Sequence, residues 1–293
     1  MIFASSSNFS KLLIVRTAHV FYVALVLFVA LLFVAPHSFI SPDIGGTILT
    51  ITTFLFGFIA GFYILLTATD YNTLKGLLAN ETASWIVLHQ YVTLYMPRTV
   101  SAFTALLDTY LRRAFDFEII DYARGTQAEF EPMRAWVNAL QPKKGIEYIH
   151  ENIQETMQGI IIGRQQLTVL GTKTLSLFQW MVLCTLAALV IFSLYGVRSG
   201  ELFFDIVTVL ISSSVVLILL VIRDLDLYLW NEKTFGYDIF ENLFKAIGQQ
   251  AYYPEESIQK GRIHPTEETY RVGVVTNRHT LERRIDVVTQ KKI

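Results

Sequence analysis

Three phenylalanines spaced four residues apart, Phe54, Phe58 and Phe62, lie in a helix-length apolar run, and two carboxylates, Asp43 and Asp70, bracket it. These residue types offer no acid, base or nucleophile at catalytic spacing within the run, and an apolar stripe of this kind is most often lipid-facing or core. A narrow apolar ring can nevertheless gate a channel, because it sheds water and strips an ion of hydration. Taken alone, an aromatic stripe also fits a lipid-facing or core position, and an acid at a span end also fits a cap. The same run carries a second face of small residues at helical spacing: Thr50, Thr53, Gly57, Ala60, Gly61, Ile64 and Ala68. Gly57 and Gly61 have the GxxxG spacing that lets helix backbones approach closely in lipid.

Catalytic chemistry is hard to assemble from the rest. No glycine-rich phosphate loop, dinucleotide fingerprint, nucleophile elbow or HExxH helix occurs. The six histidines (His19, His37, His89, His150, His264, His279) are scattered, none three or four residues from another. Neither a metal nor a cofactor is therefore expected, and the chain does not read as an enzyme. Glu147, Glu151 and Glu155 recur every four residues beside His150 and Gln154, which suits a cation site, but such charge stripes are usually solvated helix faces. The single cysteine, Cys184, excludes an intrachain disulfide, a Cys-rich zinc site and a CxxC pair.

The elements that hold these residues follow from composition. Of 293 residues, 53% are hydrophobic and only 17% charged, against about a quarter charged in soluble domains, which points to lipid. A net charge of −1 argues against nucleic acid as a partner. Four stretches reach the roughly 20 apolar residues that a bilayer core requires: residues 11–35, 45–69, 175–195 and 202–222. Ser10 suits the N-cap of the first and Pro36 closes it, while Asp205 sits at the outer edge of the fourth. The first apolar region is longer than a signal peptide's and no clean A-x-A site follows, so it is expected to be retained.

Lys11 and Arg16 lie at the N-terminal start of the first span, ahead of its nearly unbroken apolar part at 17–35, and the connection at 37–44 has no Lys or Arg. The only basic residue in the connection at 196–200 is Arg198. Both termini and the central block should thus be cytoplasmic, in a multi-pass protein of the inner (plasma) membrane. The expected fold class is all-α. Its blocks are 1–69 with the first membrane pair, a cytoplasmic helical domain at 70–174, the second pair at 175–222, and a cytoplasmic helix and tail at 223–293.

The central block is helical by its apolar spacing at 74–94, 100–117 and 146–170, with breaks at Pro97, Gly125 and 141–145. Several of these helices should continue the membrane helices. The tail begins helix-like with an interruption at Gly236, and residues 269–276 are of β type. Ile160, Ile161 and Ile162, bounded by Gly159 and Gly163, form an apolar island that fits a buried helix contact. Ser212, Ser213 and Ser214 suit helix packing in lipid or a wet path.

Gly61-Phe62-Tyr63-Ile64, preceded by Phe58 and Phe54, resembles the pore helix of bestrophins, whose neck is three apolar residues at this spacing ending in Gly-Phe-Tyr-Val. The layout is similar too: two spans, a long helical cytoplasmic block, two more spans and a cytoplasmic tail. Phe235-Gly236 followed by Asp238 and Glu241 is similar to the family's Asn-Pro-Phe-Gly-acidic segment. More specifically, the chain looks like the bacterial bestrophin-like membrane proteins, over most of residues 11–247. The chain departs where the family carries Arg-Trp-Trp after the pore helix, having Asp70-Tyr71-Asn72, and the calcium-clasping acidic run is reduced to Asp238 and Glu241.

The resemblance implies a homopentameric ion channel with one central pore, a neck of Phe54, Phe58 and Phe62, and a second constriction at Ile160, Ile161 and Ile162. Its partners would be the bilayer, its own copies and permeant small ions. Asp43 and Asp70 at the two ends of the neck helix imply weak selectivity for monovalent cations. The alternative is a non-conducting scaffold or signalling protein on the same fold.

Overall fold

The computed structural model describes residues 16–117, 121–170, 175–227, 232–259, 263, 265–277 and 282–289. Ser10 and Lys11, where the sequence starts the first span, lie outside the described residues, as does the side chain of Asp238. The chain divides into two compact units, one from Met1–Tyr71 with Lys173–Trp230, the other from Asn72–Thr172 with Asn231–Ile293.

The first unit holds α1 (Arg16–Val34), the leading part of α2 (Pro42–Tyr95), α7 (Leu177–Val197) and α8 (Leu202–Asp226). Three of these, α2, α7 and α8, are long and apolar enough to cross a membrane; the described apolar stretch of α1, Ala18–Val34, is shorter. Phe56 and Ala60 of α2 join Leu183, Ala187, Val190 and Leu194 of α7 and Val215 and Ile222 of α8 in one core. α1 packs through Phe28 against Tyr195 and Val209, and the Tyr195 hydroxyl donates to the Phe28 carbonyl at 2.7 Å.

Two polar devices close the ends of the α7–α8 pair. At the start of α7, Ser176 and Gln179 form a capping box, satisfying helix N–H groups that lack intrahelical partners. There the buried Asp226 accepts from Leu175 N (2.9 Å) and Trp180 Nε1 (3.2 Å). At the other end Arg198, fully enclosed, donates through Nη2 to the carbonyls of Leu32 (2.6 Å) and Ala35 (2.8 Å), and its Nη1 lies 3.5 Å from Asp205 Oδ1. A guanidinium there satisfies the orphan carbonyls that end α1 and meets the negative end of its dipole. The segment after α1 laces onto the same turn: Ser38 N donates to Arg198 O and Ile40 N to Gly196 O. A Cβ on Gly196 would land on the Ile40 side chain, which would have to shift to admit it.

The second unit contains the remainder of α2, α3 (Val100–Ala114), α4 (Tyr122–Gly125), α5 (Gln127–Asn138), α6 (Glu147–Leu170) and α9 (Glu232–Ala246). After these come β1 (Tyr252–Pro254), α10 (Glu255–Gln259), β2 (Thr269–Asn277) and β3 (Glu282–Thr289). Trp85, Leu88, Phe103, Leu107, Met133 and Ile153 are fully buried in its core.

Two expectations are corrected here. The fold is mostly helical but not all-α: the tail is a three-stranded sheet in the order β1-β2-β3, parallel at β1–β2 and antiparallel at β2–β3. Thr, Tyr and Val in Thr269–Asn277 and Ile and Val in Glu282–Thr289 suit a pleated surface, and pairing with a distant partner strand decides it. Nor does Gly236 interrupt the tail helix, since α9 runs through it. The second span and the helix expected at 74–94 are one continuous 54-residue helix, with no proline inside to break it.

The tail sheet is fixed to α3 by charge. Arg271 Nη2 reaches Asp108 Oδ1 at 2.7 Å, and Arg283 Nε reaches Asp116 Oδ1 at 2.7 Å while its Nη1 reaches Glu256 at 2.9 Å. Burial pushes the Tyr252 hydroxyl up to about 12. Burial also raises Glu241, but hydrogen bonds from Lys245, Tyr253 and Thr266 outweigh it and hold the carboxyl below its ordinary range.

Candidate functional site

α2 has two opposed faces between Thr52 and Thr67. Thr52, Phe56, Ala60 and Thr67 are buried within the first unit. At 100° per residue Phe54 and Phe58 lie about 160° to either side of Phe56, and Phe62 about 120° away. The three phenylalanines accordingly stand outside the core, 70%, 70% and 56% exposed. Phe54 and Phe58 stack on each other, centroids 6.4 Å apart and planes 17° from parallel. These two rings thus support each other along the helix, while the Phe62 ring meets that of Tyr63, centroids 5.9 Å apart.

The flank beside that stripe is small. Gly57 and Gly61 are exposed, and a Cβ added to either meets nothing within 4 Å. Of the small face expected from sequence, Ala60 is buried, Ile64 and Ala68 are half-buried, and Thr50, Thr53, Gly57 and Gly61 are open. The hydroxyl of Thr50 donates back to Gly46 O at 2.8 Å, so this polar group is satisfied within its own helix.

The two acids differ in placement. Asp43 is exposed in the first turn of α2, where the helix dipole favours a carboxylate. By helix geometry it lies within about 20° of Phe54. Asp70 is half-buried and stands about 80° round from Phe62, toward the buried face.

The isoleucine island is split by the helix it sits on. α6 buries Ile149, Ile153, Met157, Ile160, Arg164 and Leu167 on one face. Ile160 is 1% exposed and belongs to that core, Ile161 is half-buried, and Ile162, 48% exposed, is open. Glu147, Glu151 and Glu155 are exposed on α6. Ser212 and Ser213 are buried in α8, and Ser214 donates to Leu210 O at 2.8 Å. Among the described residues no group of three His, Cys, Asp or Glu side chains is placed to hold a metal ion.

Sequence reasoning missed a buried ionic cluster that joins α2 to α6. Glu81 on α2 and Arg164 on α6 are nearly solvent-free, 3.8 Å apart. Glu81 accepts from Trp85 Nε1 (3.2 Å), Tyr110 OH (2.6 Å) and Tyr122 OH. Arg164 donates to Tyr110 OH, Ala123 O and Thr126 Oγ1, and lies 4.3 Å from the Phe130 ring centroid. Burial, and then the Glu81 charge, push both tyrosine hydroxyls well above their ordinary value. An acid and a base 83 positions apart carry no local signal; what hinted at them was each one's place in an otherwise apolar helical stripe.

The sequence model of the Bestrophin-like domain matches residues 18–227. Solved structures give the same fold at low identity. A bacterial bestrophin homologue from Klebsiella pneumoniae with an isoleucine-to-threonine mutation has TM-score 0.61 at 12% identity, covering 76% of this chain and 99% of its own. A leucine-to-threonine mutant of that homologue has TM-score 0.58 at 14% identity over 78% and 99% of the two chains. A crystal structure described only as a membrane protein has TM-score 0.60 at 12% identity over 77% and 97%. No curated protein sequence matches.

Proposed function

The chain belongs to the bestrophin-like family, and from that premise we propose that it is a homopentameric ion channel of the plasma membrane. Four helices cross the bilayer, both termini and the polar unit are cytoplasmic, and α2 of each subunit lines the pore. Phe54, Phe58 and Phe62 supply three stacked apolar rings. The observation that carries this reading is their exposure on the side of α2 opposite its own core, beside a glycine flank with room for a neighbouring helix.

Conduction then follows from hydration. A phenyl-lined constriction offers an ion few compensating dipoles, so it conducts when wide enough to stay wet and closes by dewetting. Asp43, on the phenylalanine side, and Asp70 draw cations to either end, giving weak preference for monovalent cations. On α6 the open Ile162 is the member of the island suited to a second constriction, because Ile160 is committed to the core.

The test pairs particle mass in detergent with planar-bilayer recording of wild type and the variant with Phe54, Phe58 and Phe62 all changed to Ala. Fivefold particles, and a conductance that rises in the variant, are expected. A monomer or dimer refutes the assembly, and silence from both proteins despite verified insertion favours the scaffold reading.

A further inference from the structure

A groove of about 540 Å³ runs along α3 in the second unit, between the end of α2 and the residues that follow α9. Conduction through the neck makes no use of it. Ser101, Thr104, Asp108 and Arg112 follow one face of α3 along its floor, at three- and four-residue spacing. The Thr104 hydroxyl lies 2.9 Å from the Val100 carbonyl and 2.8 Å from His89 Nε2.

Charge decides what the groove accepts. Asp108 is buried and held by two guanidiniums, Arg112 Nε at 2.9 Å and Arg271 Nη2 at 2.7 Å. One carboxylate between two arginines leaves an excess positive charge on this wall of the groove. Arg112 spends Nε on Asp108 and Nη2 on Thr109 (3.3 Å); its Nη1, the Ser101 hydroxyl and the side-chain amide of Gln249 have no protein partner among the described residues. Donors of this kind suit an oxyanion, which a guanidinium binds by charge-assisted hydrogen bonds. The remaining walls are apolar, Val100, Ala105 and Ile247, and the volume falls within the range of small-molecule sites.

We propose that this groove binds a small organic anion, its carboxylate or phosphate held by Arg112, Ser101 and Gln249 and its carbon body against Val100, Ala105 and Ile247. The site lies wholly within the second unit and does not depend on whether the protein conducts.

Titration calorimetry of the full-length protein in detergent tests it, with succinate as the carboxylate probe, glycerol 3-phosphate as the phosphate probe and choline as the cation. Saturable binding of one anion and none of choline is expected, and the stronger anion identifies the head group. Arg112→Gln should weaken binding about tenfold. That change also frees Asp108, so Ser101→Ala and Gln249→Ala, whose side chains hold nothing in the fold, are measured beside it. Each should weaken binding about threefold with an unchanged melting temperature; they decide alone if Arg112→Gln does not fold. No saturable heat from either anion up to about 10 mM overturns the proposal. So does binding that survives Arg112→Gln, or binding that neither alanine variant weakens. A second copy of the chain seated in the groove would register as the first of these failures.

Discussion

Phe56 and Phe58 stand two residues apart on α2 and face opposite ways, the first 3% exposed inside the bundle of the first unit, the second 70% exposed outside it. Two residues turn a helix by about 200°, so one helix serves as both a core element and an open apolar stripe. Phe56→Ala should cost about 3–5 kcal/mol, as other buried aromatic truncations do. Phe58→Ala should leave the melting temperature nearly unchanged and raise single-channel conductance. Thermal unfolding in detergent and bilayer recording separate the two, and equal destabilisation by both changes would contradict the opposed faces.

Asp43 and Asp70 should differ in effect. Asp43 is open and shares the side of Phe54, whereas Asp70 turns toward the buried face. Neutralising either to Asn is expected to move the reversal potential toward anions, with the larger shift from Asp43. Bi-ionic reversal potentials would show it; no shift from either variant removes both acids from selectivity.

Arg198 should be worth more than an ordinary surface charge, because it closes the end of α1 and faces Asp205 out of water. Arg198→Met strands an acid and two carbonyls, and a loss of about 3–5 kcal/mol is expected. Pairing it with Asp205→Asn should recover part of that loss. A double variant as unstable as the single one would show that the carbonyl bonds, not the ion pair, carry the energy.

Alkali should unfold the second unit. Tyr110, Tyr122 and Tyr252 have raised hydroxyl pKa values in the folded chain, Tyr252 at about 12 against an ordinary value near 10. Their stabilising contribution is complete below pH of about 10 and is lost as pH rises through the folded values, because the unfolded chain releases those protons first. For Tyr252 the shift corresponds to roughly 2–3 kcal/mol. Circular dichroism across this alkaline range should show unfolding, and Tyr252→Phe should move its midpoint upward. An unmoved midpoint would mean that Tyr252 titrates freely.

Much of the architecture is legible in the sequence. The apolar run around Phe54, the break at Pro97 and the loop at 141–145 are local signals, and the structure places helix ends beside both breaks. The phenylalanine stripe was legible too, although periodicity could not say which way it faced. Ile160 and Ile162 show the same limit, since adjacent isoleucines look equivalent until one face of α6 is covered. The sheet was only half visible, because Thr269–Asn277 becomes a strand through its pairing with Tyr252–Pro254 and Glu282–Thr289.

By itself the sequence determined that this is a helical membrane protein with a polar unit, since hydropathy and helix period act over a turn or a span and need no distant partner. Only the tertiary structure decided which side of α2 is spent on the core, that Arg198 closes α1, and that Glu81 meets Arg164. Those outcomes depend on which surfaces are brought together across many residues of chain, where a buried charge is tolerated only if another element arrives to satisfy it.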